Sequence, residues 1–267
     1  MEIDEFLTRI GIKEANPTIF RIEERATLDG EKLPVNGEAV NKLRGIRTHT
    51  NTNDRSVSIV GFIVYEKQFP EQIFALPSND LRNVIAETDR IEIIGSKLMG
   101  YSNSMDFAFN LQVMEKGKGL HLRYDNVSIS LTKDVIKRIL KIDSMITAES
   151  VFVDTDGKVT KITLQNKTGD IGKVIIASSF PEFHARFENR FVECLKLLGD
   201  NEATLNLDGY TPNREHKAHG LGRIELVDSN AIVDYYINEI TQKVQERKKI
   251  TKKEPEKLEE PKESQES

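Results

Sequence analysis

Two stretches far apart in the chain read alike, and their likeness constrains the fold more than any single motif does. IFALPSNDLRNVIAETDRIEII (73–94) reads as strand, helix and strand, and FENRFVECLKLLGDNEATLNL (187–207) likewise carries a helical pattern through a polar turn into alternating apolar residues. Leu81, Ile91 and Ile93 match Leu195, Leu205 and Leu207 at an offset of 114 residues. A second pair, FLTRIG (Phe6–Gly11) and VIKRIL (Val135–Leu140), repeats at an offset of 129. The difference of 15 residues places extra length early in the first half, where the polar stretch from Ala26 to Arg55 can form a long hairpin or loop. The expected organisation is therefore a duplication: 1–118 with an insertion at about 26–55, then 119–243, then a charged segment at 244–267. That last segment has too little apolar surface to offset its ordering entropy and is read as a disordered, solubilising tail.

Within each half, short β-branched or period-two runs dominate. They fall at Thr18–Ile22, Val57–Tyr65, Ile91–Ile94, Phe107–Val113, Leu120–Tyr124, Val151–Val153, Val159–Leu164, Val174–Ala177, Thr204–Leu207 and Arg223–Val227. Turn signals such as Asp29-Gly30, Asn36-Gly37 and Asp156-Gly157 divide them. Ala231–Ile240 suits a helix by spacing and a final strand by composition, and the reading leans to strand. Helical patterns are few: EIDEFLTRIGI near the start, Ser78–Asp89 with Ser78 or Asn79 as cap, Ser130–Met145 capped by Thr132, and Arg190–Asp200 closed by Gly199. The fold class that follows is α+β: two similar domains, each an antiparallel sheet backed by two short helices.

Charge and cysteine content narrow the chemistry. A net charge of −5 rules out a uniformly basic nucleic-acid coat, so a polyanion would have to meet a localised basic surface. Cys194, the only cysteine, excludes an internal disulfide and a cysteine-built metal centre, and its apolar helical setting makes it a buried hydrophobe. The acidic start lacks an apolar signal core and no apolar run reaches membrane-spanning length, which gives the expectation of a cytoplasmic protein with no membrane partner. On that basis the sequons at Asn126 and Asn166 are chance.

Catalytic constellations are scarce. GDIGKV (Gly169–Val174) lacks the spacing and the Lys-Ser/Thr ending of a phosphate loop. His216 and His219 are the best metal candidate, but no carboxylate–histidine set completes a site around them. His49 reads as solvated in a polar stretch, and His121 and His184 as strand residues. No cofactor, metal ligand or catalytic residue is assigned.

Cations on helix faces are the remaining feature. In SLTKDVIKRILKIDSM, Lys133, Lys137 and Lys141 fall four apart and line one helical stripe with Arg138 beside it. Leu131, Val135, Ile136, Ile139 and Leu140 form the opposite, apolar stripe. Arg9, Arg82 and Lys196 put a cation on the polar side of each other helix. Such cations neutralise phosphates without reading bases, and without interleaved aromatics they favour duplex over single strands.

From about Asn126 to Ile240 the order of these segments resembles that of the sliding clamps, the DNA polymerase processivity factors, and most those of tailed phages. VSISLTKDVIKRILKI, VFVDTDGKVTKITLQN, KVIIASS, RFVECLKLLGDNEATLNL and IVDYYINEI follow that family's sequence of strand, helix, strands, helix and closing strands. The first half matches mainly through Phe69–Ile94. The resemblance implies a homotrimeric ring with sheets outside and helices lining the hole. Arg9, Arg82, Lys133, Lys137, Arg138, Lys141 and Lys196 would then face encircled duplex DNA. It also implies a replicative DNA polymerase held through a peptide pocket, an ATP-driven clamp loader, no catalysis, a linker near Met114–Asp125 and, for a phage protein, the cytoplasm of an infected bacterium. Two other readings stay open: a single-stranded DNA-binding protein with an open-barrel fold, and a metal-dependent enzyme using His216 and His219. The absence of Trp and an aromatic content of 7% weigh against the first of these.

Overall fold

A computed structural model describes residues 1–25, 43–104, 106–113, 127–177, 183–207 and 221–240. The expected linker, the strand at Leu120–Tyr124, His121, Asn126, His216, His219 and the tail lie outside these residues. The first half runs α1 (Ile3–Arg9), β1 (Thr18–Arg25), β2 (Leu43–Asn51), β3 (Val57–Val64), β4 (Phe74–Leu76), α2 (Ser78–Glu87), β5 (Arg90–Ile94), β6 (Lys97–Tyr101), β7 (Asp106–Asn110) and β8 (Gln112–Val113). The second runs β9 (Val127–Leu131), α3 (Lys133–Ile146), β10 (Ser150–Thr155), β11 (Val159–Gln165), β12 (Ile171–Ala177), β13 (Phe183–Glu188), α4 (Arg190–Leu197), β14 (Ala203–Leu207), β15 (Leu221–Val227) and β16 (Ala231–Asn238).

The two halves repeat. Strand order β3-β2-β1-β4 in the first matches β12-β11-β10-β13 in the second, and the meander β5-β6-β7 matches β14-β15-β16. Each half then hooks back on itself in the same way: β8 pairs with β4, and the Ile240 N–H donates to Arg186 O on β13 at 2.7 Å. Leu81 and Leu195 are buried on α2 and α4, and Ile91 and Leu205 on β5 and β14, so the matched residues occupy matched places. The α+β class and its paired-helix repeat hold, and an open barrel is not what these sheets form.

What joins the halves is a backbone ladder. β3 pairs antiparallel with β16 from Val57↔Ile237 to Ile63↔Ala231, which merges strands of both halves into one sheet, β8-β4-β1-β2-β3-β16-β15-β14-β9. On its inner face the β16 residues Ala231, Val233, Tyr235 and Ile237 are all buried against the helices. Gly61 on β3 lets the Phe6 ring of α1 sit on the strand, since a Cβ there would stand 2.7 Å from the ring. Gly172 on β12 plays the same part beneath Ile142 of α3.

Several local expectations need correction. Ala26–Arg55 is not all insertion, because Leu43–Asn51 forms β2 inside the largest sheet. Its inward residues Thr48 and Thr50 are polar by type yet buried, and Thr50 shares a 2.8 Å hydrogen bond with Thr18 on β1. Residues 26–42 lie outside the described set. Phe107–Val113 is two strands, not one, broken at Leu111. β6 is a further strand that the reading missed, while β4, β9 and β13 form where IFALP, VSIS and the segment around His184 read as strand. Neither Ser78 nor Asn79 caps α2: Pro77 holds the cap position and no side chain bonds there. Thr132 does cap α3, accepting from Val135 N at 3.4 Å.

On the outer face of the seam Asp234 is nearly enclosed, with Arg223 3.7 Å away. Burial pushes its carboxyl up to about 6, more than the Arg223 charge pulls it down, and Glu225 adds to the rise. The same group ordinarily titrates near 3.8, so the folded chain holds this proton more tightly and loses stability as pH rises from about 4 to about 6. Asp234→Asn should therefore stabilise the protein at pH 7 by roughly 1–3 kcal/mol and have little effect at pH 4. Urea titrations of both proteins across that range check it, and an equal difference at both pH values would contradict the assignment.

Candidate nucleic-acid interface

The four helices stand in one row, α2–α1–α4–α3. α1 packs on α2 and α3 on α4, and Arg9 joins the two pairs. Their core faces are the ones that the sequence pattern marks: Phe6 and Leu7 on α1, Leu81 and Val84 on α2, Ile136 and Ile139 on α3, and Phe191, Cys194 and Leu195 on α4. Burial holds the Cys194 thiol well above its ordinary range, which keeps it an inert core residue.

The cations along this row do two different jobs. Arg82 on α2 donates to Thr8 Oγ1 on α1 at 3.1 Å and lies 3.6 Å from Asp4. Arg9 on α1 reaches across to α4, donating to Leu197 O at 2.9 Å and to Glu5 Oε1 at 2.8 Å, and only 15% of its side chain is exposed. It thereby supplies the positive charge that a helix C-terminus favours. Lys196 on α4 donates to Asp143 Oδ2 on α3 at 2.8 Å. Asp143 is buried and also accepts from Ala148 N at 3.1 Å, so one carboxylate closes α3 and anchors α4. Arg9, Arg82 and Lys196 are therefore ties between neighbouring helices.

α3 is different. Lys133, Lys137, Arg138 and Lys141 are all exposed, and among the described residues Lys133, Arg138 and Lys141 have no ion-pair partner. Lys137 is 66% exposed and stands 3.7 Å from Asp200, a loose surface pair of little energetic worth. The lysines continue as a stripe to Met145, whose side chain is also exposed. α1 and α2, by contrast, set Asp4, Glu5, Asp80 and Glu87 against Arg9 and Arg82. Cationic surface is thus concentrated at one end of the row rather than spread over every helix.

Other singled-out residues settle into the scaffold. His49 is not solvated: it lies on β2, half-buried, with its Nε2 3.0 Å from Ser58 Oγ, and burial followed by the Arg47 charge lowers its pKa. His184 is a strand residue on β13 and meets Asp154 on β10. Asn166 sits in a turn where its amide donates to Asp170 Oδ2 at 2.8 Å. Arg190, which attracted no attention in the sequence, donates to Glu193 Oε2 and Glu14 Oε2, both at 2.6 Å, and so links α4 to the loop after α1. Asp143 was equally inconspicuous, although an acid at a core position of an otherwise apolar stripe is a signal of a tie. Among the described residues no group of three His, Cys, Asp or Glu can hold a metal ion, and no helix is long and apolar enough to cross a membrane.

If Arg9 is a tie and Lys141 is solvated, their removal should be felt differently. Arg9→Ala is expected to cost roughly 1–3 kcal/mol of folding stability. Lys141→Ala should stay within about 0.5 kcal/mol. Denaturant midpoints of the two variants measure this directly, and equal midpoints would remove the distinction.

No family model matches the chain, and no curated protein does. Solved structures do. The Proliferating Cellular Nuclear Antigen (PCNA) from Entamoeba histolytica aligns with a TM-score of 0.60 at 14% identity, over 89% of this chain and 96% of that one. The A. fulgidus PCNA, in a structure with the C-terminal region of FEN-1 bound, aligns with a TM-score of 0.60 at 13% identity, over 91% and 97%. A repeat of helix, four strands, helix and meander, spanning nearly the whole of both neighbours, gives this chain the PCNA-like fold of a sliding clamp.

Proposed function

We propose that the chain is a sliding clamp: a non-catalytic processivity factor whose copies close head to tail around duplex DNA and tether a replicative polymerase. One observation carries this reading. Within the chain, β3 of the first half pairs with β16 of the second, while their counterparts in the repeat, β12 and β7, have no partner on their outer sides among the described strands. A second copy can present its β7 to this β12, and the same joint is then available at every step. Such a heterologous interface closes into a ring when the rotation per copy divides a full turn. With two repeats per copy, three copies give the six-repeat ring that the resemblance implies.

The edges suit that role. β12 exposes Ile171 and Ile175, 55% and 61% accessible, on either side of Lys173. Phe107 and Phe109 on β7 are half-exposed and stacked 6.4 Å apart. Their counterparts on the internal seam, β16 residues such as Val233 and Tyr235, are fully covered. Long unpaired strands bearing apolar residues are a liability for a chain that stays single.

In the ring the helix row faces the hole, and Lys133, Lys137 and Lys141 supply exchangeable phosphate contacts. Retention comes from enclosure, so these contacts need not be strong. Arg9, Arg82 and Lys196 act one step back, by holding the row together. An ATP-driven loader opens the ring and a peptide from the polymerase docks on it, much as the C-terminal region of FEN-1 is bound to the A. fulgidus neighbour. The phage type rests on the segment order of the second half alone.

Two measurements test the reading. Native mass of the wild-type chain should correspond to three copies, whereas Ile175→Asp on β12 or Phe107→Asp on β7 should give single copies. Rings reassembled from separated copies in the presence of a closed circular plasmid should stay with it through gel filtration at high salt and leave when the plasmid is cut. Equal loss from circular and linear DNA would refute enclosure.

A further inference from the structure

The repeat makes a statement about one residue that the clamp reading leaves among the DNA contacts. FLTRIG (Phe6–Gly11) superposes in sequence on VIKRIL (Val135–Leu140), which places Arg9 of α1 opposite Arg138 of α3. The burial pattern agrees: Leu7 and Ile10 correspond to Ile136 and Ile139, all in the core. The acid one turn earlier repeats as well, Glu5 before Arg9 and Asp134 before Arg138. Arg9 is a tie that crosses the internal seam. It leaves the flank of α1 that faces away from α2, and its guanidinium sits on the end of α4 beside Gly199, donating to Leu197 O.

Arg138 leaves α3 by the corresponding flank. Lys137, one residue earlier, turns towards the α4 side, where it stands near Asp200. Ile142, one turn after Arg138 on the same flank, lies over Gly172 of β12. By helical spacing Arg138 therefore lies on the β12 side of α3, away from α4, and within one copy it is exposed with no ion-pair partner among the described residues.

The element that the repeat would bring to it is α2 of the next copy, since α2 is the counterpart of α4. The end of α2 is short of positive charge. Its last turn contains no basic residue, Glu87 there is exposed, and Asp89 follows. Arg90, the nearest cation along the chain, is paired with Glu92. A helix C-terminus with an added carboxylate is a site for a guanidinium.

We propose that Arg138 is an intersubunit tie: in the assembled ring it docks on the C-terminal end of α2 of a second copy, at Glu87 and the last carbonyls, as Arg9 docks on α4 within the chain. It therefore belongs to ring closure rather than to the DNA-facing stripe of Lys133, Lys137 and Lys141. This rests on the ring reading and adds to it the identity of one contact on each side of the joint.

Sedimentation equilibrium without DNA tests it, comparing wild type, Arg138→Ala and Lys137→Ala. Arg138→Ala should weaken association by at least about tenfold while the melting of separated copies is unchanged. Lys137→Ala should associate as wild type does, because a DNA contact is silent when no DNA is present. A ring that assembles equally well with Arg138→Ala overturns the tie and leaves the clamp reading intact. A wild-type chain that remains single at every concentration overturns the ring, and the tie with it.

Discussion

Everything in this molecule depends on the antiparallel ladder between β3 and β16. Backbone pairing is indifferent to side-chain identity, so two halves of very different sequence can share one sheet as long as their inner faces stay apolar. β16 meets that condition with Ala231, Val233, Tyr235 and Ile237, and β3 meets it with Val57, Ile59 and Ile63. Once the ladder is in place, α1 and α4 are brought side by side, Arg9 finds the end of α4, and Tyr235 Oη donates to Arg9 O at 3.1 Å beneath them. The helix row is a product of the seam rather than of helix–helix attraction. Helices of 7 to 14 residues are too short to be stable alone.

How much of this was legible depended on whether burial could be read from residue type. α3 announced itself through a capping threonine, a four-residue lysine spacing and an apolar stripe. β13 was equally legible, since Phe183, Ala185 and Phe187 alternate with His184 and Arg186. β2 was hidden for a physical reason: its inward positions include the buried threonines Thr48 and Thr50, the second bonded to Thr18 inside the sheet, and composition alone reads such residues as a polar insertion.

Charge was harder to read than shape. A lysine or arginine on the polar side of a helix looks the same in sequence whether it meets solvent, a phosphate or a neighbouring carbonyl. The spacing of Lys133, Lys137 and Lys141 correctly gave an exposed stripe. Spacing could not reveal that Arg82 would meet Thr8, or that Lys196 would meet a buried Asp143, because those partners come from other elements. The halves differ in consequence: the first balances its cations with acids on the same helices, and the second leaves three cations on α3 unpaired among the described residues. An interface built from three copies would then present charge in three sectors rather than six.

The inequality between the internal seam and the outer edges has an assembly consequence. The seam fixes the angle between repeats, and a joint that reuses that geometry inherits it with each added copy. In the proposed ring, a small change in the packing of α1 over Gly61, or of α3 over Gly172, would alter the angle at one kind of joint and not the other. The same pair of edges would then fail to meet after a full circuit, and growth would continue as an open helical filament. In the proposed ring, glycine at these two strand positions would set the curvature, and with it the choice between a closed object and a fibre.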